Sequence, residues 1–313
     1  MPANLGPDYL AAEDDFRRAA TPADKISALE RMWATLPKHK GTEKMQADIK
    51  RKLSQARKDS QKKGAAHAAP FYHVPREGAG QVALLGPANG GKSSLLAALT
   101  HAKPEIGDYL FTTHVPLPGM MPFEDVLIQL VDLPPLAEEF TEPWLPQVLR
   151  NAHASVLVVG LDDMNCLEEI DYIERKLEEW KLAAPALLAA NKSDTPEAED
   201  NLNVLDDLYG ARYRILPVSA ATRAGLDEFA RAVFLLLNVV RIYTKAPGKR
   251  FEFTAPYVVK RGETVLDVAR RVHKDFAEHL KFARRFRPEG GHDGLMVDRQ
   301  HLVEDRDILE FHA

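Results

Sequence analysis

The sequence predicts an α/β fold: a phosphate-loop domain with a mostly parallel sheet and helices on both faces, set between a helical hairpin and a small β-grasp unit. Three observations lead there. A glycine-rich loop, Gly86 to Ser93, is flanked by an apolar strand pattern and a helix pattern. Short β-branched runs then alternate with helical runs, the order that gives parallel strands covered by crossover helices. Composition changes on both sides of this stretch. We read residues 1–77 as the hairpin and a linker, 78–244 as the phosphate-loop domain and 245–313 as the grasp unit.

Composition narrows the class. The 313 residues, 45% apolar and 28% charged, are ordinary for a soluble globular protein with more than one core. A single cysteine, Cys166, excludes an internal disulfide framework and a cysteine-rich metal site, and suits a cytoplasmic location. The first residues lack a charged-then-apolar signal pattern. The most apolar run, Ala230 to Val240, holds Arg231 and Asn238 and is too short to span a bilayer. No membrane partner is expected, and a monomer is the expected state.

In chain order, Ile26, Leu29, Met32, Trp33 and Leu36 share one helical face, with Thr21-Pro22 as the start signal. After Pro37 and Gly41 a second helix carries Met45, Ile49, Leu53 and Ala56, so the two form an αα-hairpin. Basic residues crowd Lys38 to Lys63 against Glu43, Asp48 and Asp59. Such a run is either a solvated helix face or a contact to RNA phosphates. The stretch from Gly64 to Gly80 reads as a linker.

The phosphate loop comes next. Gln81 to Leu85 is a buried strand, Gly86-Pro87-Ala88-Asn89-Gly90-Gly91-Lys92-Ser93 fits G-x-x-x-x-G-K-[ST], and Ser94 opens a helix. Glycines let backbone N–H groups curl around a phosphate, and the helix N-terminus adds partial positive charge. Lys92 reaches the β- and γ-phosphates, and the Ser93 hydroxyl is a Mg²⁺ ligand. Asp132, closing the strand Val126 to Val131, is the Mg²⁺-linked carboxylate. Thr112 and Thr113 lie in a proline-bounded loop. Thr113 is assigned the second Mg²⁺ hydroxyl and, with Lys92, the catalytic role.

The base is named by Asn191-Lys192-Ser193-Asp194, after the strand Pro185 to Ala190. The Asp194 carboxylate accepts from both guanine N1–H and the exocyclic amine. Adenine would leave that acceptor unpaired, which argues against an ATPase reading. Asn191 ties this loop to the phosphate loop, and the Lys192 stem covers the base. Ser219-Ala220-Ala221, after the strand Arg214 to Ser219, supplies backbone contacts to the guanine oxygen. GTP or GDP with Mg²⁺ is therefore the expected cofactor set. A helix from Gly225 to Tyr243 ends this part. Trp33, Trp144 and Trp180 read as packing residues.

In the tail, Phe251 to Thr254, Tyr257 to Val259, Leu295 to Val297 and Ile308 to Phe311 look like strands. They surround one helix that starts at Glu263-Thr264 and turns Val265, Val268, Ala269, Val272 and Phe276 inward. That helix and the loop after it carry Arg270, Arg271, Lys274, Lys281, Arg284, Arg285 and Arg287.

These residues together resemble the Obg-related GTPases, and more specifically the developmentally regulated GTP-binding protein (DRG) branch. The resemblance is carried by Asp108 to Thr113, by Val115 to Gly119 and by Lys40 to Lys50. The tail looks like a TGS domain, a ubiquitin-like β-grasp module, through Arg261 to Ala269 and Val272 to Ala277. The resemblance implies a P-loop GTPase domain that slowly hydrolyses GTP to GDP and phosphate. It also implies association with the ribosome or RNA in translation, through the basic N-terminal helix and the TGS domain, and a protein activator. Leu136 stands where many GTPases carry a water-orienting glutamine, which resembles a group whose members use K⁺ held by a phosphate-loop asparagine. Asn89 occupies that position; its other reading is a turn residue tolerating the left-handed region. The segment where eukaryotic DRG proteins carry an insertion has no counterpart here. One departure stands out: the family's D-x-P-G is Asp132-Leu133-Pro134-Pro135. Proline has no N–H to give a γ-phosphate. This opens a second reading, a non-hydrolysing GTP/GDP-binding adaptor.

Overall fold

In a computed structural model, the described residues are 7–18, 22–36, 42, 45–46, 48–53, 70–100, 115–138, 141–163, 165–249, 251, 255–287 and 294–312. The chain divides into two compact units, Met1–Pro70 and Phe71–Ala313.

In the first unit, helices α1 (Pro7–Arg18) and α2 (Pro22–Thr35) bury Tyr9, Ala12, Leu29, Met32 and Leu36 together with Ile49 from a further helical stretch at 48–53. Pro22 takes the first helical position, where its missing N–H costs nothing. The expected hairpin is therefore joined by a third helical segment. In α1, Tyr9, Ala12 and Phe16 hold a helical spacing that the acids Glu13, Asp14 and Asp15 dilute in the sequence. Of the basic run, Lys50, Arg51 and Lys52 are exposed, and Arg51 and Lys52 pair with Asp48 at 2.7 and 2.8 Å. Most of that run, Ala56 and the Ile26 side chain lie outside the described residues.

The second unit begins with a six-stranded sheet: β1 (Gln81–Leu85), β2 (Leu117–Phe123), β3 (Val126–Asp132), β4 (Ala154–Gly160), β5 (Leu187–Asn191) and β6 (Arg214–Pro217). Their order is β2-β3-β1-β4-β5-β6, and only β2 with β3 runs antiparallel. Helices α3 (Lys92–Leu99), α4 (Leu145–Asn151), α5 (Cys166–Glu179), α6 (Ala198–Tyr209) and α7 (Leu226–Leu236) cover it. Side chains alternate across a strand, so β1 feeds two cores. Val82 and Leu84 join Leu95, Leu130 and Phe229 on one face, and Ala83 and Leu85 join Val131, Leu157 and Ile170 on the other. That double burial is why the strand reads as an unbroken apolar run. The neighbours of β1 are β3 and β4, so the loop leaving β1 sits at the topological switch point, where such sheets open a crevice.

The second sheet holds β7 (Val239–Thr244), β8 (Tyr257–Lys260), β9 (Phe282–Phe286), β10 (Leu295–Val297) and β11 (Asp307–His312) in the order β10-β9-β11-β7-β8. Its parallel pair, β11 with β7, is central, and helix α8 (Val265–Val272) buries Val265, Val268 and Ala269 against it. Thr264 and Asp267 close a capping box at the start of α8. The short helix α9 (Lys274–His279) follows; the Phe276 side chain lies outside the described residues.

Three local expectations are corrected. The helix expected to Tyr243 stops at Leu236, and Asn238 turns the chain at φ 50° into β7. Val239-Val240-Arg241-Ile242 is β-branched, and its partners come from the tail, so the strand joins the second sheet despite its place before residue 245. The basic loop around Arg284 is strand β9, with Ala283 buried and Arg284 exposed. Phe251 lies outside any strand, and residues 252–254 are outside the described set.

The two sheets are joined through Arg241 on β7, which is 4% exposed at its side chain. Its guanidinium donates to Glu124 at 2.5 Å and Asp125 at 2.9 Å in the β2–β3 turn, and to Asp305 at 2.7 Å in the loop before β11. It also lies over the Phe234 ring, 5.0 Å from its centroid. Tyr243 Oη donates to Asp125, and Arg306 pairs with Glu124 at 2.7 Å.

Candidate nucleotide site

Residues 86–91 form a cradle whose shape leaves no room for a side chain at Gly86 or Gly91. Gly86 has φ 155° and a Cβ there would stand 2.1 Å from Val158 O; Gly91 has φ 88° and a Cβ there would meet Asn191 Nδ2 at 2.0 Å. Gly91 precedes α3 without any side-chain cap, so the first N–H groups of that helix face the cradle unclaimed by a side chain. Asn89 is exposed in the left-handed region at φ 59°. Ala88 and Ser94 are half-buried.

Lys92 is buried and folds back, donating to Gly86 O at 3.1 Å and Pro87 O at 2.7 Å. Burial pushes its ammonium down to about 8, against the attraction of Asp132 and Glu169. Ser93 Oγ donates to Asp132 Oδ2 at 2.5 Å. Asp132 is fully buried at the end of β3, and its Oδ1 has no hydrogen-bond partner among the described residues. Burial raises its pKa, although Lys92 and Ser93 pull the other way. A hydroxyl and an orphaned carboxylate oxygen make a hard-oxygen pair of the kind Mg²⁺ takes beside phosphate. The donor set therefore fits that ion, held by Ser93 and Asp132.

The segment after Asp132 is packed inward. Pro134, Pro135 and Leu136 are buried, and Leu136 N donates to Gly86 O at 3.1 Å. The position where a water-orienting side chain would stand thus points into the core beside Leu133 and Leu145.

On the other side of the cradle, Asn191 joins two loops. Its Nδ2 donates to Gly90 O at 3.3 Å and Gly91 O at 3.4 Å, while Oδ1 accepts from Ala220 N at 3.1 Å. Asp194 is exposed, and Oδ1 accepts from the buried Ser219 Oγ at 2.5 Å. Ala221 is exposed next to Ala220. Lys192, at φ 62°, pairs with Asp162 at 2.6 Å. The structure thus brings together Gly86 to Ser93, Asp132, Asn191, Lys192, Asp194 and Ser219 to Ala221. Thr112 and Thr113 lie outside the described residues.

Sequence reasoning missed three supporting groups. Asp162, after β4, anchors Lys192. Thr222 N donates to Ser219 Oγ at 2.9 Å, which orients the hydroxyl toward Asp194. Arg223 donates to Ala98 O at 2.6 Å and ties the Ser219 loop to the end of α3. Asp162 and Arg223 act through partners distant in sequence, and Thr222 acts through its backbone N–H, so no motif announces them.

A glycine-rich loop at a switch point, with a second loop at the end of β5 aimed at the same crevice, defines a guanine-nucleotide-binding protein of the P-loop class. Residues 81–192 match the family described as 50S ribosome-binding GTPase, and residues 240–313 match the TGS domain. The chain belongs to the GTP-binding proteins of the Obg/DRG type, with a GTPase domain joined to a TGS domain. An uncharacterized GTP-binding protein of Methanocaldococcus jannaschii is 26% identical over 98% of this chain and 94% of its own length. That alignment runs over 379 positions, more than the 313 residues here, so the archaeal protein has segments this chain lacks. Ribosome-interacting GTPase 1 of Saccharomyces cerevisiae is 26% identical over 93% of this chain and 98% of its own. A GTPase Obg of Desulfitobacterium hafniense reaches 39% identity, over 48% of this chain and 38% of its own. Among the described residues no helix is long and apolar enough to cross a membrane.

Proposed function

We propose that the protein binds GTP or GDP with Mg²⁺, hydrolyses GTP slowly, and works in translation on the ribosome or its RNA. The observation that carries the nucleotide part is Asn191, whose amide links Gly90 and Gly91 of the phosphate loop to Ala220 of the guanine loop. Lys92 and the N–H groups at the start of α3 neutralise the phosphates, and Asp194 selects guanine. Ser93, Asp132 and Thr113 hold Mg²⁺, which supplies charge stabilisation at the phosphates. Leu136 is buried where many GTPases carry a water-orienting glutamine, so intrinsic turnover is slow and an activator from a partner completes the site. Asn89 is exposed at the cradle, a position from which it can help hold K⁺. The ribosome part rests on the yeast relative's name and on exposed Arg261, Lys281, Arg284 and Arg299 of the TGS region, a surface suited to RNA phosphates.

Calorimetry with GDP and ADP, on wild type and Asp194→Asn, tests the first part. Binding of GDP but not ADP, lost in the variant, is expected; equal binding of ADP sinks the reading. Cosedimentation with ribosomes, with and without nucleotide, tests the second. A second reading, the non-hydrolysing adaptor, is favoured by the buried Pro134-Pro135 pair. GTP turnover in K⁺ and in Na⁺, on wild type and Pro135→Gly, separates the two. Activity in the wild type supports the enzyme, and activity only in the variant supports the adaptor.

A further inference from the structure

Strand β4 ends on Gly160, whose φ lies outside the left-handed region, so its dihedral angles do not call for a glycine. Space does. A Cβ there would stand 2.5 Å from Asp162 Oδ1, 3.4 Å from Lys192 Nζ and 3.5 Å from Lys192 Cδ. The Asp162 carboxylate and the Lys192 stem therefore lie together over Gly160, joined by the 2.6 Å pair between Nζ and Oδ2. The backbone on both sides is fixed. Gly160 is in register with Asn191, Leu161 N donates to Asn191 O at 2.9 Å, and Ser193 N donates to Val218 O at 3.0 Å. Asn201 Nδ2 donates to Leu161 O at 2.7 Å. The neighbouring acid, Asp163, is taken up by Asn165, accepting from its N at 3.0 Å and its Nδ2 at 3.1 Å. The side chains of Lys192 and Asp162 are 31% and 39% exposed, and a pair so solvated adds little to stability. What it does is hold the lysine stem in one place.

We infer that Asp162 is a positioning residue for the guanine base: it sets the Lys192 side chain before a nucleotide arrives, over a glycine that leaves room for both. A lysine stem has many rotamers, and ordering it on binding costs affinity. With Nζ already tied to Asp162, that ordering is complete in the free protein, and the methylene stem is set to cover one face of the base. The effect falls on retention, slowing nucleotide release more than it speeds capture. The inference rests on the guanine-nucleotide reading given above and adds to it a residue that belongs to neither nucleotide loop.

The test is stopped-flow release of a fluorescent GDP derivative from the full chain at fixed Mg²⁺, with calorimetry of GDP and ADP beside it. Asp162→Ala is expected to speed release about fivefold, and Asp162→Asn, which keeps an acceptor without the charge, about threefold. Asp163→Asn removes the neighbouring charge and is expected to leave release unchanged. Lys192→Met keeps an apolar stem without the ammonium; in that background Asp162→Ala is expected to add less than about twofold, because Asp162 acts through Lys192. Unchanged release in Asp162→Ala overturns the inference, as does an equal gain in Asp163→Asn or the full effect persisting in the Lys192→Met background. Unchanged release in Asp162→Asn overturns it if Asp162→Ala fails to fold. ADP binding as tightly as GDP brings down the guanine reading instead. Failure of the wild type to bind GDP overturns both.

Discussion

Ser93 Oγ and Asp132 Oδ2 lie 2.5 Å apart across the mouth of the phosphate loop, while Oδ1 of the same carboxylate is buried with no hydrogen-bond partner among the described residues. A buried carboxylate with one oxygen unsatisfied is unfavourable unless a cation completes it. Its pKa, raised first by burial, records that cost. Asp132→Asn should therefore weaken the Mg²⁺-dependent part of nucleotide binding by about 10–100-fold. The unliganded protein should melt no lower than wild type, because the uncompensated charge is gone. Titrations with and without a chelator, beside thermal melts, check both halves; an unchanged Mg²⁺ effect would refute the assignment.

The Asn191 side chain touches the phosphate loop and the guanine loop together, through Gly90 O, Gly91 O and Ala220 N. Asn191→Ala removes one acceptor and two donors at once. The expected loss in GDP affinity is about 2 kcal/mol, or about 30-fold. The packing around Gly91 should survive, since the glycine accommodates Asn191 and not the reverse. A drop below threefold in calorimetry would mean that the loops hold their places without this amide.

Lys92 gives the pH dependence. In the free site burial brings its ammonium down to about 8. A bound phosphate favours the charged form, so the bound pKa lies higher. Affinity for GDP is then flat below about pH 8 and falls by about tenfold per pH unit above it, until the bound pKa is reached. Fixed-temperature titrations from pH 6.5 to 9.5 would reveal the bend. A flat wild-type profile across that range contradicts the buried lysine, and Lys92→Ala should bind weakly with no bend at all.

How much of this was legible in the sequence depended on whether the contact partners were contiguous. Gly86 to Ser93 and Asn191 to Asp194 could be recognised because each loop presents its ligand groups from one short segment. The strands β1, β3, β5 and β11 could be read because burial on one or both faces writes itself into the residue pattern. Strand β9 was hidden by Arg284 and Arg285, which look like a solvated loop until pairing with β10 and β11 places Ala283 inward. Strand β7 was hidden because its apolar residues continue the pattern of α7 and its partners lie in the tail. The use of Leu133 N and Leu136 N by Leu84 O and Gly86 O is a matter of backbone register, which no residue type encodes.

Arg241 makes the last prediction. Its charge is matched by Glu124 and Asp125 from the first sheet's β2–β3 turn and by Asp305 from the TGS region. The hydrogen bond from Arg241 holds the Glu124 carboxyl below its ordinary value of 4.5. Burial raises Asp125, but bonds from Tyr243 and Arg241 outweigh it and leave that carboxyl below 3.8. Both folded values are depressed, so the stabilisation is present above the ordinary carboxylate range and is lost as pH falls through the lower folded values. Arg241→Met keeps the packing over Phe234 while removing the charge shared by Glu124, Asp125 and Asp305, which are partly solvated, so it should cost about 2 kcal/mol near neutral pH. The difference between variant and wild type should shrink as pH drops below about 4, where Glu124 and Asp125 take up protons in both proteins. Denaturant unfolding at neutral pH and near pH 3.5 measures this. A gap that stays constant with pH would show that Arg241 acts by packing alone, and a loss under 1 kcal/mol would show that the two sheets hold together without it.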